Sequence, residues 1–182
     1  DRGESWEIIS PDLTTNDTTK QKQHESGGLT MDATGAENHT TLLAITPSKL
    51  EEGLIWTGSD DGQIHITRDG GENWDNVSRF PRSVNENSYI AQVHASNFNA
   101  SEAFAVVNDY RRGDWTPIVL HTNDYGRRWR NILEDSEVEG YALSFVQDLV
   151  EPNLMFVGTE FGLFVTIDGG DSWTKWTNEY PT

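Results

Sequence analysis

The most concentrated binding chemistry in the chain lies in one short stretch. Tyr110, Arg111, Arg112 and Trp115 place two aromatic rings and two guanidinium groups within six residues. Rings of this kind stack on sugars, and a pair of guanidinium groups can grip a carboxylate bidentately. The competing role for the same residues is packing of Trp115 on a neighbouring element and pairing of the arginines with nearby acids. Phe161 is a further aromatic candidate for ligand contact. Carboxylates suited to acid–base work stand at Asp60, Asp61, Asp114 and Glu160. Glycoside hydrolysis needs two carboxyl groups at a defined separation, and no spacing among these four singles out a pair. His24, Glu25, Glu37 and His39 offer imidazole and carboxylate donors, yet no His-Glu-x-x-His or comparable spacing fixes a metal. Nucleophile elbows and phosphate loops are also missing from the sequence. The expectation is therefore no cofactor and no metal.

Composition narrows the partners. The chain has 182 residues, 13 basic against 30 acidic, for a net charge of −17. Binding to nucleic acid or an anionic lipid surface draws on clustered Lys and Arg, so neither partner is expected. With no cysteine there is no disulfide framework and no thiolate metal site. The apolar runs fall far short of the roughly 20 residues a membrane helix needs, so membrane insertion is not expected. Seven tryptophans and repeated β-branched runs supply material for a core, which sets the chain apart from acidic disordered segments.

The elements that position these groups are legible from an internal repeat. Thr67, Asp69, Gly71 and Trp74 follow the pattern Thr-x-Asp-x-Gly-x-x-Trp, which returns at Thr122, Asp124, Gly126 and Trp129 and again at Thr166, Asp168, Gly170 and Trp173. A truncated copy, Asp1, Gly3 and Trp6, opens the chain, and the tryptophans are separated by 68, 55 and 44 residues. The last spacing is that of a bare four-strand blade of about 40–45 residues, so the longer ones carry insertions. Each unit reads as four short strands bounded by turn residues. They are expected at 41–46, 54–58, 63–68 and 73–78, then at 89–95, 103–108, 117–122 and 128–132, then at 141–147, 154–158, 162–167 and 172–177. Residues 136–149 offer a helical alternative that the repeat outweighs. The string spans the hairpin between third and fourth strands: Thr ends a strand, Asp accepts backbone N–H groups across the turn, Gly takes positive φ, and Trp wedges between sheets. Folding accounts for all of it, with a peripheral ion site as the alternative.

This string resembles the Asp-box, or bacterial neuraminidase repeat, of sialidases, xyloglucan-processing endoglucanases, photosystem assembly factors and the sortilin receptor domain. The stretches DRGESWEIISPDLT at 1–14, SGG at 26–28, GAENH at 35–39, GSDDG at 58–62 and GTEFGLF at 158–164 are similar to the sortilin-like propellers of large exported bacterial proteins often labelled glycosyl hydrolases. The resemblance implies an all-β fold: a β-propeller segment of about three four-stranded antiparallel blades plus one extra outer strand. It places an orphan outer strand at 5–10, an interblade insertion at 11–40 and blades at 41–78, 89–132 and 141–177. It also implies an extracellular, periplasmic or cell-surface location. Propellers close with about 4–8 blades, so the expected partners of the open flanks are the remaining blades of a parent protein or a second copy of this chain. In such a fold the turns between second and third strands share one face with the connections between blades, and function is carried by loops on a rigid scaffold. That face holds Asp60, Asp61, the 109–115 loop, Glu160 and Phe161. The expected function is a non-catalytic propeller segment that binds a glycan or a protein through this face. The alternative is part of a glycoside hydrolase whose active site is completed by blades beyond this chain, with the isolated chain inactive.

Overall fold

The computed structural model describes residues 3–21 and 39–177. Twelve strands form three four-stranded antiparallel sheets, each a meander in chain order. The first contains β1 (Leu42–Pro47), β2 (Ile55–Ser59), β3 (Ile64–Thr67) and β4 (Asp75–Asn76). The second contains β5 (Tyr89–Ala95), β6 (Ala103–Asp109), β7 (Asp114–Thr122) and β8 (Arg130–Asn131). The third contains β9 (Ala142–Gln147), β10 (Met155–Thr159), β11 (Gly162–Thr166) and β12 (Thr174–Lys175). The only helical element among the described residues is a single 3-10 turn, Tyr110–Arg112, and the helical alternative at 136–149 is not taken, since that stretch contains β9.

The period-2 pattern of the strands explains why the sheets stack face to face. Along β6, Ala103, Ala105 and Val107 join Trp56, Ile64, Ile66, Ile90 and Leu120 in a core between the first two sheets. The alternate residues Phe104 and Val106 join Val119, Phe145, Val157 and Phe164 in a second core between the last two. All seven residues of β6 are buried, because a neighbouring sheet packs on each face of the middle one. Phe104 anchors the second core, stacked on Phe145 with centroids 4.5 Å apart.

Neighbouring sheets fan apart, so their first strands cannot form a ladder, and side chains replace it. The Gln92 amide donates to the Phe145 carbonyl and accepts from the Phe145 N–H, both at 2.9 Å. Between the first two sheets Thr46 Oγ1 donates to the Val93 carbonyl at 2.7 Å. Each pairing of first and second strands also carries one irregularity near the same end, spanning Leu42/Ala44, Ile90/Gln92 and Gly158/Thr159. Sequence periodicity did not anticipate these bulges.

The repeated string forms one hydrogen-bonded unit three times. Thr67 Oγ1 donates to Asp69 Oδ1 at 2.8 Å and accepts the Gly71 N–H at 2.9 Å, while Asp69 Oδ1 accepts the Asn73 N–H at 2.9 Å. Thr122, Asp124, Gly126 and Arg128 repeat these bonds, as do Thr166, Asp168, Gly170 and Ser172. The side-chain amide and backbone N–H of Asn73, with the Thr67 hydroxyl, lower the Asp69 carboxyl from 3.8 to about 2. Ser172 and Thr166 push Asp168 down further still.

Each string also docks on the segment that follows the preceding copy. The indole N–H of Trp129 donates to the Val77 carbonyl at 2.8 Å, and that of Trp173 to the Ile132 carbonyl at 3.2 Å. Trp74 makes the same bond to Ile9 at 2.9 Å. Every acceptor lies three residues after the tryptophan of the preceding copy. The string glycine sits against the same acceptor residue: a Cβ on Gly126 would fall 2.8 Å from Val77 Cβ, and φ there is +78°. Residues 5–10 were expected as a strand, but the structure assigns none there. Trp74 holds this segment through the Ile9 carbonyl. The fourth strands are likewise shorter than expected, two ladder residues each, and β7 begins earlier, at Asp114.

Removing the Trp129 bond while keeping an aromatic ring, as in Trp129→Phe, costs about 1 kcal/mol and should lower Tm by about 2–4 °C. Gly126→Ala, which adds a clash and positive-φ strain, should lower it further; thermal melts that rank the two in the opposite order contradict this docking geometry. Acid titration provides a second check. Burial lowers the imidazole pKa of His94 and His65 from 6.5, so these rings fold neutral and their contribution is complete above pH 6.5 and lost below it. The string carboxylates contribute fully above 3.8 and lose that contribution as pH falls through their lowered folded values. Stability should thus decline in two acid stages, with His94→Gln flattening the upper one in melts recorded against pH.

Candidate functional site

Strand register gathers the candidate residues at one end of the stack. Leu42 pairs with Ser59, Tyr89 with Asn108 and Ala142 with Thr159, so the start of each first strand lies beside the turn joining second and third strands. The middle hairpin has the longest strands, seven residues in β6 and nine in β7. Asp109 and Asp114 still pair, and between them Gly113 closes the 3-10 turn at φ +80°.

Two rings at the entry of first strands, Tyr89 opening β5 and Tyr141 just before β9, complete the site. The guanidinium of Arg111 lies 4.8 Å from the Tyr89 ring centroid and 5.0 Å from that of Tyr110. Tyr110 stacks on Tyr141 at 4.7 Å and 18°, and Trp115 packs obliquely on Tyr141 at 5.6 Å. The result is a ladder of four rings and one cation reaching from the second sheet onto the third. Trp115 remains 54% exposed, so it contributes open apolar surface rather than core. Tyr89 and Tyr141 were not among the sequence candidates. Both stand at the residue immediately before the buried start of a first strand, Ile90 and Ala142, and that shared repeat position was the available signal.

The two arginines have different roles. Arg112 is tied down, with Nη2 2.6 Å and Nε 3.1 Å from Asp109 Oδ1, and Nη1 donating to the Glu86 carbonyl at 2.9 Å. Asp109 is buried and also accepts from Ser88 Oγ and Asn85 Nδ2. Arg112 therefore braces the loop. Arg111 makes ring contacts and is exposed, which leaves N–H donors directed at solvent beside the two rings. A cleft of about 470 Å³ runs alongside, between the first and second sheets, lined by His39, Asp60, Asn87, Tyr89, Asn108, Asp109, Arg111 and Arg112.

The four catalytic candidates are not brought together. Asp60 lines the cleft, but its Oδ1 accepts the Thr41 N–H at 2.7 Å and its Oδ2 lies 3.6 Å from His39 Nδ1. Asp61 is fully buried. Its carboxylate accepts from Ser59 Oγ, and from both the N–H and hydroxyl of Thr15 at 2.6 and 2.7 Å. Asp114 accepts from the Thr116 N–H and from Asn85 Nδ2, and the Thr116 contacts lower its pKa. Glu160 and Phe161 border a separate open groove with Glu139, Gly140 and Lys175 on the third sheet. Phe161 is thus apart from the ring ladder. Among the described residues no group of three or more His, Asp or Glu side chains could hold a metal, and no helix is long and apolar enough to cross a membrane. His24, Glu25, Glu37 and Asp1 lie outside the described residues.

Asp61 instead secures the polar insertion. With Thr15 held by Asp61, Leu13 is buried, and Gln21 Nε2 donates to Thr40 Oγ1 at 2.6 Å, which draws the two ends of the insertion together.

No protein-family model matches the chain, and no curated protein matches it. Its likeness is to solved structures. YCF48 from Cyanidioschyzon merolae matches with TM-score 0.55 and 25% identity over 76% of this chain and 38% of that one. A structure described as YCF48 bound to D1 peptide matches with TM-score 0.56 and 23% identity, over 77% and 41% of the two chains. An ancestral GH74 enzyme matches with TM-score 0.58 and 20% identity, over 78% and 19%. These define the fold: the three sheets are blades of a β-propeller. The chain spans well under half the length of each of these proteins.

Asp61→Asn keeps the shape of the clamp but weakens its charge-assisted bonds. Tryptic cleavage after Lys20 should accelerate several-fold in that variant while cleavage within the blades is unchanged; equal rates at Lys20 would show that Asp61 does not secure the segment.

Proposed function

We propose that this chain is a non-catalytic stretch of an Asp-box β-propeller that binds a protein segment through the loop face of its blades. The observation that carries this reading is the ladder Tyr89–Arg111–Tyr110–Tyr141–Trp115. Pre-packed rings present contact area at little entropic cost, and aromatic and arginine side chains dominate protein-binding hot spots. Arg111, in a chain of net charge −17, offers its donors to a partner carboxylate or carbonyl, while Arg112 and Asp109 hold the loop in place. A propeller neighbour is described as bound to a peptide, which agrees with a protein ligand in this class of fold. Among the described residues, the candidate carboxylates serve the backbone or stand in separate clefts, which weighs against catalysis by this chain. The sortilin-like resemblance adds an exported bacterial parent to the proposal.

The second reading, a segment of a glycoside hydrolase, draws on the fold shared with GH74 enzymes. Arrays of short peptides and of polysaccharide fragments, including xyloglucan oligosaccharides, separate the two. Peptide capture is expected, weakened by about ten-fold or more in Arg111→Ala and Trp115→Ala and unchanged in Phe161→Ala. Capture of glycans alone, or glycan turnover abolished by Asp60→Asn or Glu160→Gln, would sink the proposal.

A further inference from the structure

Donors and acceptors are unevenly used in the cleft between the first and second blades. Its two carboxylates are satisfied by the protein itself. Asp109 Oδ1 accepts from Arg112 Nε and Nη2, and its Oδ2 from Ser88 Oγ and Asn85 Nδ2. Asp60 Oδ1 accepts the Thr41 N–H, and its Oδ2 faces His39 Nδ1 at 3.6 Å. Arg112 is engaged in turn by Asp109 and the Glu86 carbonyl. Two side chains on the cleft wall keep donors that meet no described residue, Arg111 and Asn87. Arg111 makes ring contacts alone, over Tyr89 at 4.8 Å and Tyr110 at 5.0 Å, and these leave its N–H fork unpaired. Asn87 is held at φ +57°. A Cβ on Gly62 would fall 2.8 Å from its Cα, so the backbone that carries this amide is seated against the turn of the first blade.

A backbone carbonyl meets one N–H of a guanidinium fork, whereas a carboxylate meets two and carries the opposite charge. A cationic side chain would find no free acid in the cleft. A run of acids is disfavoured as well, because the chain around the cleft has a net charge of −17. We propose that the cleft takes one aspartate or glutamate side chain of a bound protein segment, gripped by Arg111 and Asn87, while an apolar residue of the same segment lies over Tyr141 and Trp115. This assignment rests on the ladder taking a protein segment, as proposed above. The steps from Arg111 through Tyr110 and Tyr141 to Trp115 are 5.0, 4.7 and 5.6 Å. Extended chain advances about 3.3 Å per residue, so the two anchors fall within about five positions of each other. The recognised element is a single acid at short range from an apolar residue, in otherwise uncharged sequence.

Fluorescence anisotropy with labelled peptide pools of about nine residues tests this. Each pool has Leu near one end, Glu, Gln or Lys about two to seven positions from it, and random Ala, Ser, Gly and Thr elsewhere, with both chain directions made. Glu pools with separations up to about five are expected to bind about ten-fold or more tightly than matched Gln pools, and Lys pools not to bind. Arg111→Gln should erase the preference for Glu with unchanged melting, and Arg111→Lys, which keeps the charge without the fork, should retain part of it. Asn87→Gly, which tolerates the positive φ, should reduce the preference by a smaller factor. Trp115→Ala should weaken Glu and Gln pools alike. Equal binding of Glu and Gln pools, both weakened by Trp115→Ala, would overturn the carboxylate assignment and leave the ladder as a peptide site. A preference for Glu that survives Arg111→Gln would overturn it too. Pools that all fail to bind would overturn this assignment and, together with a blank peptide array, the ladder as a peptide site.

Discussion

A four-stranded blade is too thin to bury anything by itself, and its neighbours diverge from it, so the whole molecule depends on how one sheet is attached to the next. The indole-to-carbonyl bond of Trp129 and Trp173 provides that attachment at the periphery, where the fan is widest. Apolar interlock of Phe104 with Phe145 fills the middle, and the Gln92 amide closes the narrow end. Three kinds of contact at three radii fix both the separation and the angle of adjacent blades. The string needs every one of its residues for this. Thr and Asp hold the hairpin, glycine permits close approach, and tryptophan makes the bond.

This arrangement keeps the folding strings apart from the ring ladder proposed to bind. The strings occupy the hairpins that follow third strands, while Arg111, Tyr110 and Trp115 sit on the turn that follows a second strand, at the opposite end of the ladder. The middle blade, buried on both faces, carries the hairpin with the longest strands. A loop that must hold a cation between rings gains from the most constrained base in the molecule, and the buried Asp109 at the end of β6 supplies its brace.

The strings, blades and loop face were legible in the sequence because turn chemistry and tryptophan recur at fixed offsets, and repetition multiplies a weak local signal. The pairing role of Gln92, the burial of Asp61 beneath Thr15 and the bracing of Arg112 were not. Each depends on a contact between residues far apart in the chain, or on a choice between two carboxylates that look alike in sequence. Asp60 and Asp61 are adjacent, yet one faces a cleft and the other is sealed. Tyr89 and Tyr141 were recoverable in principle, since they share a repeat position, but the first blade has Thr41 there, which obscured the pattern.

The bulges in the first strands separate two reading frames. Below each irregularity, side chains alternate in step with the packed cores; above it the parity is reversed, so Tyr89 and Tyr141 obey a phase of their own. Loss of a single residue at Leu43, Ala91 or Leu143 would rotate the rim of one blade while leaving the stack beneath it in register. A propeller built this way can exchange the side chains offered at its mouth by one-residue insertions and deletions, a form of variation that a regular sheet would not survive.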